Sequence, residues 1–202
     1  MDSIAELIEN QRFYHVFQPI CHLPQKRTIG YEALIRSTSP VGPDELFQRA
    51  MEQQKLFHLD TLSILRAIQA FFAERLQEKK ELLFVNIYPS TIIDEHFPGF
   101  IDGLVSRYRP YVKRIVLEIN ESILEQKIWM NPLFIRRIAL LRKRGFMIAL
   151  DKGEAHLILE GIEQEEDYSR AAALGVSIAQ GYYLGRPGRL KSDTCNRQIL
   201  EE

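Results

Sequence analysis

From residue 82 onward the chain alternates short, nearly unbroken apolar runs with amphipathic stretches. That alternation restricts the fold more than any other feature of the sequence. Leu82-Leu83-Phe84-Val85, Arg114 to Ile119, Phe146 to Leu150 and Leu157-Ile158-Leu159 read as strands buried on both faces. Between them, stretches from about Phe100 to Arg107, Pro132 to Arg144 and Glu165 to Leu174 read as helices, the last two stopped by Gly145 and Gly175. A longer helix precedes them, from about Asp60 to Gln77, with Leu62, Leu65, Ile68, Phe72 and Leu76 at helical spacing. Doubly buried strands joined by helices make a parallel sheet covered by those helices.

The start of the chain departs from this rule. Ser3-Ile4-Ala5-Glu6 is a capping-box pattern and predicts a short first helix. Tyr14 to Ile20 and Thr28 to Arg36 are β-rich, and the link Leu23-Pro24-Gln25-Lys26-Arg27 is too short for a crossover helix. These two strands are therefore expected to be antiparallel. Pro43-Asp44-Glu45 opens a further helix, and a last extended run passes through Gln180. No composition break or Gly/Ser-rich linker divides the 202 residues, a length that buries a core without disulfides or metal staples. One α/β domain over residues 1–187 is expected, with a polar extension from Gly188 to Glu202 that could lead to a further domain.

Composition narrows the function classes. Lys and Arg number 26 against 27 Asp and Glu, so bulk charge gives no reason to expect a DNA or RNA polymer as partner. Cys21 and Cys195 are the only cysteines and have no metal-type spacing, which reads as reduced thiols in a cytoplasmic protein. The N-terminal MDSIAELIENQRF lacks the basic and apolar regions of a signal peptide. No apolar run is seen that approaches the roughly 20 residues of a spanning helix, so no membrane segment is expected.

The chemistry gathers at the carboxyl ends of the strands, where α/β barrels assemble their sites. In chain order those ends offer Glu32, Asn86, Glu118, Asp151, Glu160 and Gln180. A single acid there is most simply a helix cap or a solvated loop residue. Several together, without thiolate or paired imidazole, are the hard oxygen donors of Mg²⁺, Mn²⁺ or Ca²⁺. The residues alone thus give a candidate divalent-metal site in an α/β barrel.

Seven ordered blocks resemble a known family. Phe17-Gln18-Pro19-Ile20 and Gly30-Tyr31-Glu32-Ala33-Leu34-Ile35-Arg36 look like the opening of the EAL domain, named for the Glu-Ala-Leu that stands here at 32–34. Phe84-Val85-Asn86-Ile87, Leu117-Glu118-Ile119-Asn120-Glu121-Ser122 and Ile148-Ala149-Leu150-Asp151 continue the resemblance. Leu159-Glu160-Gly161-Ile162-Glu163 and Gln180-Gly181-Tyr182-Tyr183-Leu184-Gly185-Arg186-Pro187 end it. The resemblance implies a modified TIM (β/α)8 barrel with an antiparallel first strand. It also implies the family's activity in bacterial second-messenger signalling: metal-dependent hydrolysis of cyclic di-GMP to linear pGpG by a phosphodiesterase using Mg²⁺ or Mn²⁺. By resemblance Glu32, Asn86, Glu118, Asp151 and Glu160 are metal ligands. Glu160 is also associated with the attacking water, and Glu121 orders a loop near the site. Gln18, Arg36 and Gln180 hold the substrate or the surrounding hydrogen bonds. The family often forms homodimers and carries sensor or cyclase domains elsewhere in the full chain.

The chain also departs from the family. Asp151 is followed by Lys152-Gly153-Glu154-Ala155 where the family has a second Asp, and no Lys-x-Asp motif stands between Asp151 and Glu160, where the family's order would put it. Only Lys152 to Leu159 separate Asp151 from Glu160, where the family places a helix, the sixth strand and another helix. A strand-helix segment is thus absent. Either the molecule carries it outside this sequence, which the unbroken pattern on both sides favours, or the deletion is genuine. The first account keeps the phosphodiesterase. The second makes the domain a degenerate EAL module that binds cyclic di-GMP or a protein partner without cleaving it.

Overall fold

A computed structural model describes residues 4–74, 81–120, 123–150 and 158–190. Helix α1 (Ile4–Glu9) leads into strand β1 (Phe13–His22), which turns back into β2 (Arg27–Ser37). Helices α2 (Pro43–Glu52) and α3 (Leu56–Glu74) follow, then β3 (Leu82–Ile87), α4 (Pro89–Ile93), α5 (Phe97–Tyr108) and β4 (Ile115–Ile119). The order continues with α6 (Pro132–Lys143), β5 (Met147–Leu150), β6 (Ile158–Leu159), α7 (Glu165–Ala173) and β7 (Ile178–Ala179). Two 3-10 segments, Val112–Arg114 and Ile123–Met130, precede β4 and α6.

The seven strands form one sheet in the order β5-β4-β3-β2-β1-β7-β6. β1 runs antiparallel to both of its neighbours, and every other adjacent pair is parallel. The short link after β1 forces the hairpin, with Lys26 at φ 44° and its amide donating to the Leu23 carbonyl at 3.1 Å. Crossover helices make the remainder parallel, as expected for a modified TIM barrel with a reversed first strand. Residues 151–157, which lie outside the described residues, are all that join β5 to β6. Strands that are parallel neighbours need a crossover of about a dozen residues or more. Seven cannot carry the absent strand and its helices, and β5 and β6 are the two edges of the sheet.

Strand alternation sorts the two faces. Outward, Leu83, Val85, Ile87, Leu117 and Ile119 pack against Ile64, Ile68 and Phe71 of α3 and Ile101 and Leu104 of α5. Burying each of these large side chains is worth about 1.5–3 kcal/mol. Inward, Ile20, Phe84 and Val116 form a smaller cluster with Leu82, Met147, Ala149, Ile158 and Ile178. Gly30 is required here because a Cβ on it would lie 2.6 Å from the Leu82 carbonyl oxygen and 3.0 Å from the Phe84 ring.

Several expectations change. α3 spans 19 residues and holds an 18-residue window of mean hydropathy 1.2, so one helix among the described residues is long and apolar enough to cross a membrane, contrary to expectation. In the fold its apolar positions are packed on the sheet, and Asp60 lies inside the helix as a buried residue, not at its start. Cys21 is disulfide-bonded, contrary to the expectation of two reduced thiols, and Cys195 lies outside the described residues. α4 and the 3-10 segments were not anticipated, since pieces this short show no helical period. Gly188 begins the predicted extension yet pairs with Phe17, its carbonyl accepting from the Phe17 amide at 2.8 Å and its amide returning a bond at 3.1 Å.

Candidate functional site

Five of the described strands set a polar residue two positions from an inner apolar one, and therefore on the same face. Gln18 stands two from Ile20, Asn86 from Phe84, Glu118 from Val116, Glu160 from Ile158 and Gln180 from Ile178. The inner face thus has an apolar floor and a polar mouth. Register completes the arrangement: Gln18 is opposite Glu32, and Asn86 is opposite Glu118.

A hydrogen-bond chain crosses the four adjacent strands β3, β2, β1 and β7. The Asn86 Nδ2 group donates to Glu32 Oε1 at 2.8 Å. Gln180 Nε2 donates to the other carboxylate oxygen, Glu32 Oε2, at 2.6 Å and also lies 3.2 Å from Gln18 Oε1. Gln18 Nε2 in turn donates to the Gly185 carbonyl at 3.2 Å. Both oxygens of Glu32 are therefore oriented by amide donors, an arrangement that fixes a ligating carboxylate. Gln18, Glu118 and Gln180 are buried, whereas Glu32 and Asn86 are half-buried at the open end of the ring.

The donor set can be tested against a divalent cation. Asn86 spends its NH₂ on Glu32, which leaves its carbonyl oxygen as a hard donor between two carboxylates, Glu32 and Glu118. Oxygen donors from three successive strand ends, with no sulfur or imidazole among them, fit Mg²⁺, Mn²⁺ or Ca²⁺. Among the described residues no three His, Cys, Asp or Glu side chains cluster in a way that could hold a metal. The third donor here is an amide. Of the remaining expected residues, Glu160 ends β6 in an exposed position, and Asp151 and Glu121 lie outside the described residues.

Beside this ring lies a pocket of about 300 Å³ lined by Arg36, Asn86, Asn120, His15, Phe47 and Ser63 among others. Arg36 is four residues beyond Glu32 on the same face, and its Nη1 donates to the Ile35 carbonyl at 2.8 Å. His15 Nε2 is 3.0 Å from Ser63 Oγ. Burial, with the Arg66 charge adding to it, lowers the His15 pKa to about 4, so the imidazole is neutral at pH 7. His15 and Ser63 were missed in the sequence, although His15 lies between Phe13 and Phe17 on one face of β1, the face that packs on the helices. Tyr88 packs on Phe47 with ring centroids 5.0 Å apart, and Tyr182 is exposed with the Arg186 guanidinium over its ring at 4.7 Å.

A family model described as "EAL domain" matches residues 1–153. The probable cyclic di-GMP phosphodiesterase PdeI of Escherichia coli is 26% identical over 156 residues, covering 74% of this chain and 20% of that protein. The cyclic di-GMP phosphodiesterase PdeF of the same organism is 20% identical over 248 residues, covering 97% of this chain and 32% of the relative. That alignment is longer than the chain itself, so part of the relative has no counterpart here. The chain spans about a fifth to a third of the curated relatives it matches. Among solved structures, Klebsiella pneumoniae BlrP1 in a manganese/cyclic di-GMP complex superposes with a TM-score of 0.73 at 20% identity, covering 88% of this chain and 56% of that one.

Proposed function

The chain belongs to the EAL domain family, and from that premise we propose that its strand-end ring binds cyclic di-GMP with a divalent cation and hydrolyses it to pGpG. The observation that carries this reading is the Gln18–Gln180–Glu32–Asn86 chain, with Glu118 beside Asn86. The relatives' printed names, and the manganese and cyclic di-GMP in the BlrP1 complex, support the choice of ligand and metal.

In this reading Glu32, Asn86 and Glu118 hold the cation, joined by Asp151 and Glu160. A bound divalent cation would neutralise phosphate oxygens and lower the pKa of its water toward neutrality. The chain's own residues supply the rest. Gln180 and Asn86 keep Glu32 in one rotamer, so the ring need not reorganise when it meets the phosphodiester. Arg36, on the pocket wall, presents a fork of donors to an anionic oxygen. Neutral His15 and Ser63 line the same pocket with polar edges and add no charge.

A second reading is favoured by the seven-residue link between β5 and β6, which has no room for the strand that carries the family's Lys-x-Asp. There the domain binds cyclic di-GMP without turnover. Incubating the purified chain with cyclic di-GMP and Mg²⁺ or Mn²⁺ and separating the nucleotides separates the two. Appearance of pGpG supports hydrolysis. Saturable binding without pGpG selects the binding module, and the absence of both rejects either.

A further inference from the structure

Behind the metal ring, on the outer face, two buried carboxylates grip the turn that follows Asn86. Asp60 on α3 is 1% exposed, and its Oδ2 accepts from the Tyr88 amide at 3.0 Å. Glu125, in the 3-10 segment after β4, is 8% exposed, and its Oε2 accepts from the Ser90 amide at 3.3 Å. Pro89 between them has no amide, so the two carboxylates take the first two backbone donors after Ile87. The Ile87 carbonyl is itself held by the Asn120 amide at 3.0 Å.

Capping a five-residue helix does not need this. A Ser or Asn at the cap position does so for about 1 kcal/mol. Burying two carboxylates near one another is costly, and burial raises the Asp60 pKa to about 7, with the Glu125 charge adding to the rise. The arrangement also links two different strand ends: Tyr88 is two residues beyond Asn86, and Glu125 stands in the segment that follows Glu118.

We infer that Asp60 and Glu125 are positioning residues that fix the Asn86 turn for its bond to Glu32 and yoke it to the strand end bearing Glu118. The role rests on the proposed cation site, but the hydrogen bond it protects exists without any metal. Asp60→Ala frees the Tyr88 amide, lets the β3 exit relax and loosens the Asn86–Glu32 bond. Asp60→Asn keeps a carbonyl oxygen for Tyr88 and preserves it.

The test uses two readouts on the wild-type chain, Asp60→Ala, Asp60→Asn and Glu125→Ala. Titration with Mn²⁺ alone, followed by the spin-resonance signal of the free ion, is expected to show about tenfold weaker binding in the two alanine variants. Asp60→Asn is expected to bind within about twofold of wild type, a rescue that a general packing role would not distinguish. The second readout is the side-chain NH₂ resonance of Asn86 in metal-free protein, expected to move in Asp60→Ala and not in Asp60→Asn. Glu125→Ala carries both measurements should Asp60→Ala not fold. Saturable Mn²⁺ binding of equal strength in wild type and the alanine variants overturns the inference and leaves the metal site standing. A wild type that binds no Mn²⁺ rejects the metal site, and an Asn86 resonance unmoved by the alanine substitutions then overturns the inference as well.

Discussion

The Gln180 side-chain amide donates to Glu32 Oε2 at 2.6 Å although 148 residues separate the two in sequence. This bond makes β7, which lies beyond the shortened link, a working part of the ring. Gln180→Ala leaves a half-buried carboxylate oxygen without its donor and breaks the contact to Gln18. A loss of about 1–3 kcal/mol in stability is expected, read from the urea midpoint at unchanged slope. Cyclic di-GMP affinity is expected to fall together with it.

Gly181 sits where β7 leaves the sheet, and a Cβ there would lie 2.1 Å from the Ile162 carbonyl oxygen. The Ile162 amide bonds the Gln180 carbonyl at 3.2 Å, so the backbone cannot withdraw without breaking the segment that aims Gln180. Gly181→Ala is expected to cost about 1–3 kcal/mol and lower Tm by roughly 5 °C in a thermal scan. An unchanged Tm would mean that the approach of these two segments is not tight in solution.

Half-buried His15 and buried Asp60 give opposing pH dependence. The His15 pKa is lowered from 6.5 to about 4, so the unfolded state binds the proton first. Its contribution is fully present above about pH 6.5 and is lost as pH falls toward 4. The Asp60 pKa is raised from 3.8 to about 7, so the folded state binds the proton first. Its contribution is present below about pH 4 and is lost as pH rises through 7. Denaturant midpoints are expected to show His15→Gln gaining on wild type as pH drops from 6.5 to 4. Asp60→Asn is expected to gain on wild type as pH rises from 4 to 8.

Most of the ring was legible in the sequence because Glu32, Asn86, Glu118 and Gln180 were read as polar residues at the ends of apolar runs, and resemblance to the EAL domain added Gln18. The structure brings Gln18, Glu32, Asn86 and Gln180 into one hydrogen-bond chain, with Glu118 set opposite Asn86. The antiparallel hairpin was legible because link length alone decides it. Asp60 was not, because an acid among Leu59, Ser63 and Ile64 reads as a helix start until the sheet covers it. Glu125 was hidden for a different reason: it acts from a 3-10 segment with no period to reveal which way it faces.

The sheet edges give a further expectation. Among the described residues β5 and β6 are the terminal strands of the sheet, and a sheet edge invites strand pairing between molecules. Concentrated protein is expected to self-associate, and a Lys in place of Ile148 or Leu159 on those edges is expected to reduce the associated fraction in sedimentation velocity. Monomeric wild type at high concentration would show the edges to be covered.

In the proposed site a cation held by Glu32, Asn86 and Glu118 anchors cyclic di-GMP. Calorimetric titration of cyclic di-GMP into wild type and Glu32→Ala, each with Ca²⁺, with Mn²⁺ and with chelator, tests it most directly. Wild type is expected to show saturable one-site binding that weakens at least tenfold in chelator and is lost in Glu32→Ala under every condition. Equal affinity with and without cation, or equal affinity in the two proteins, would contradict it.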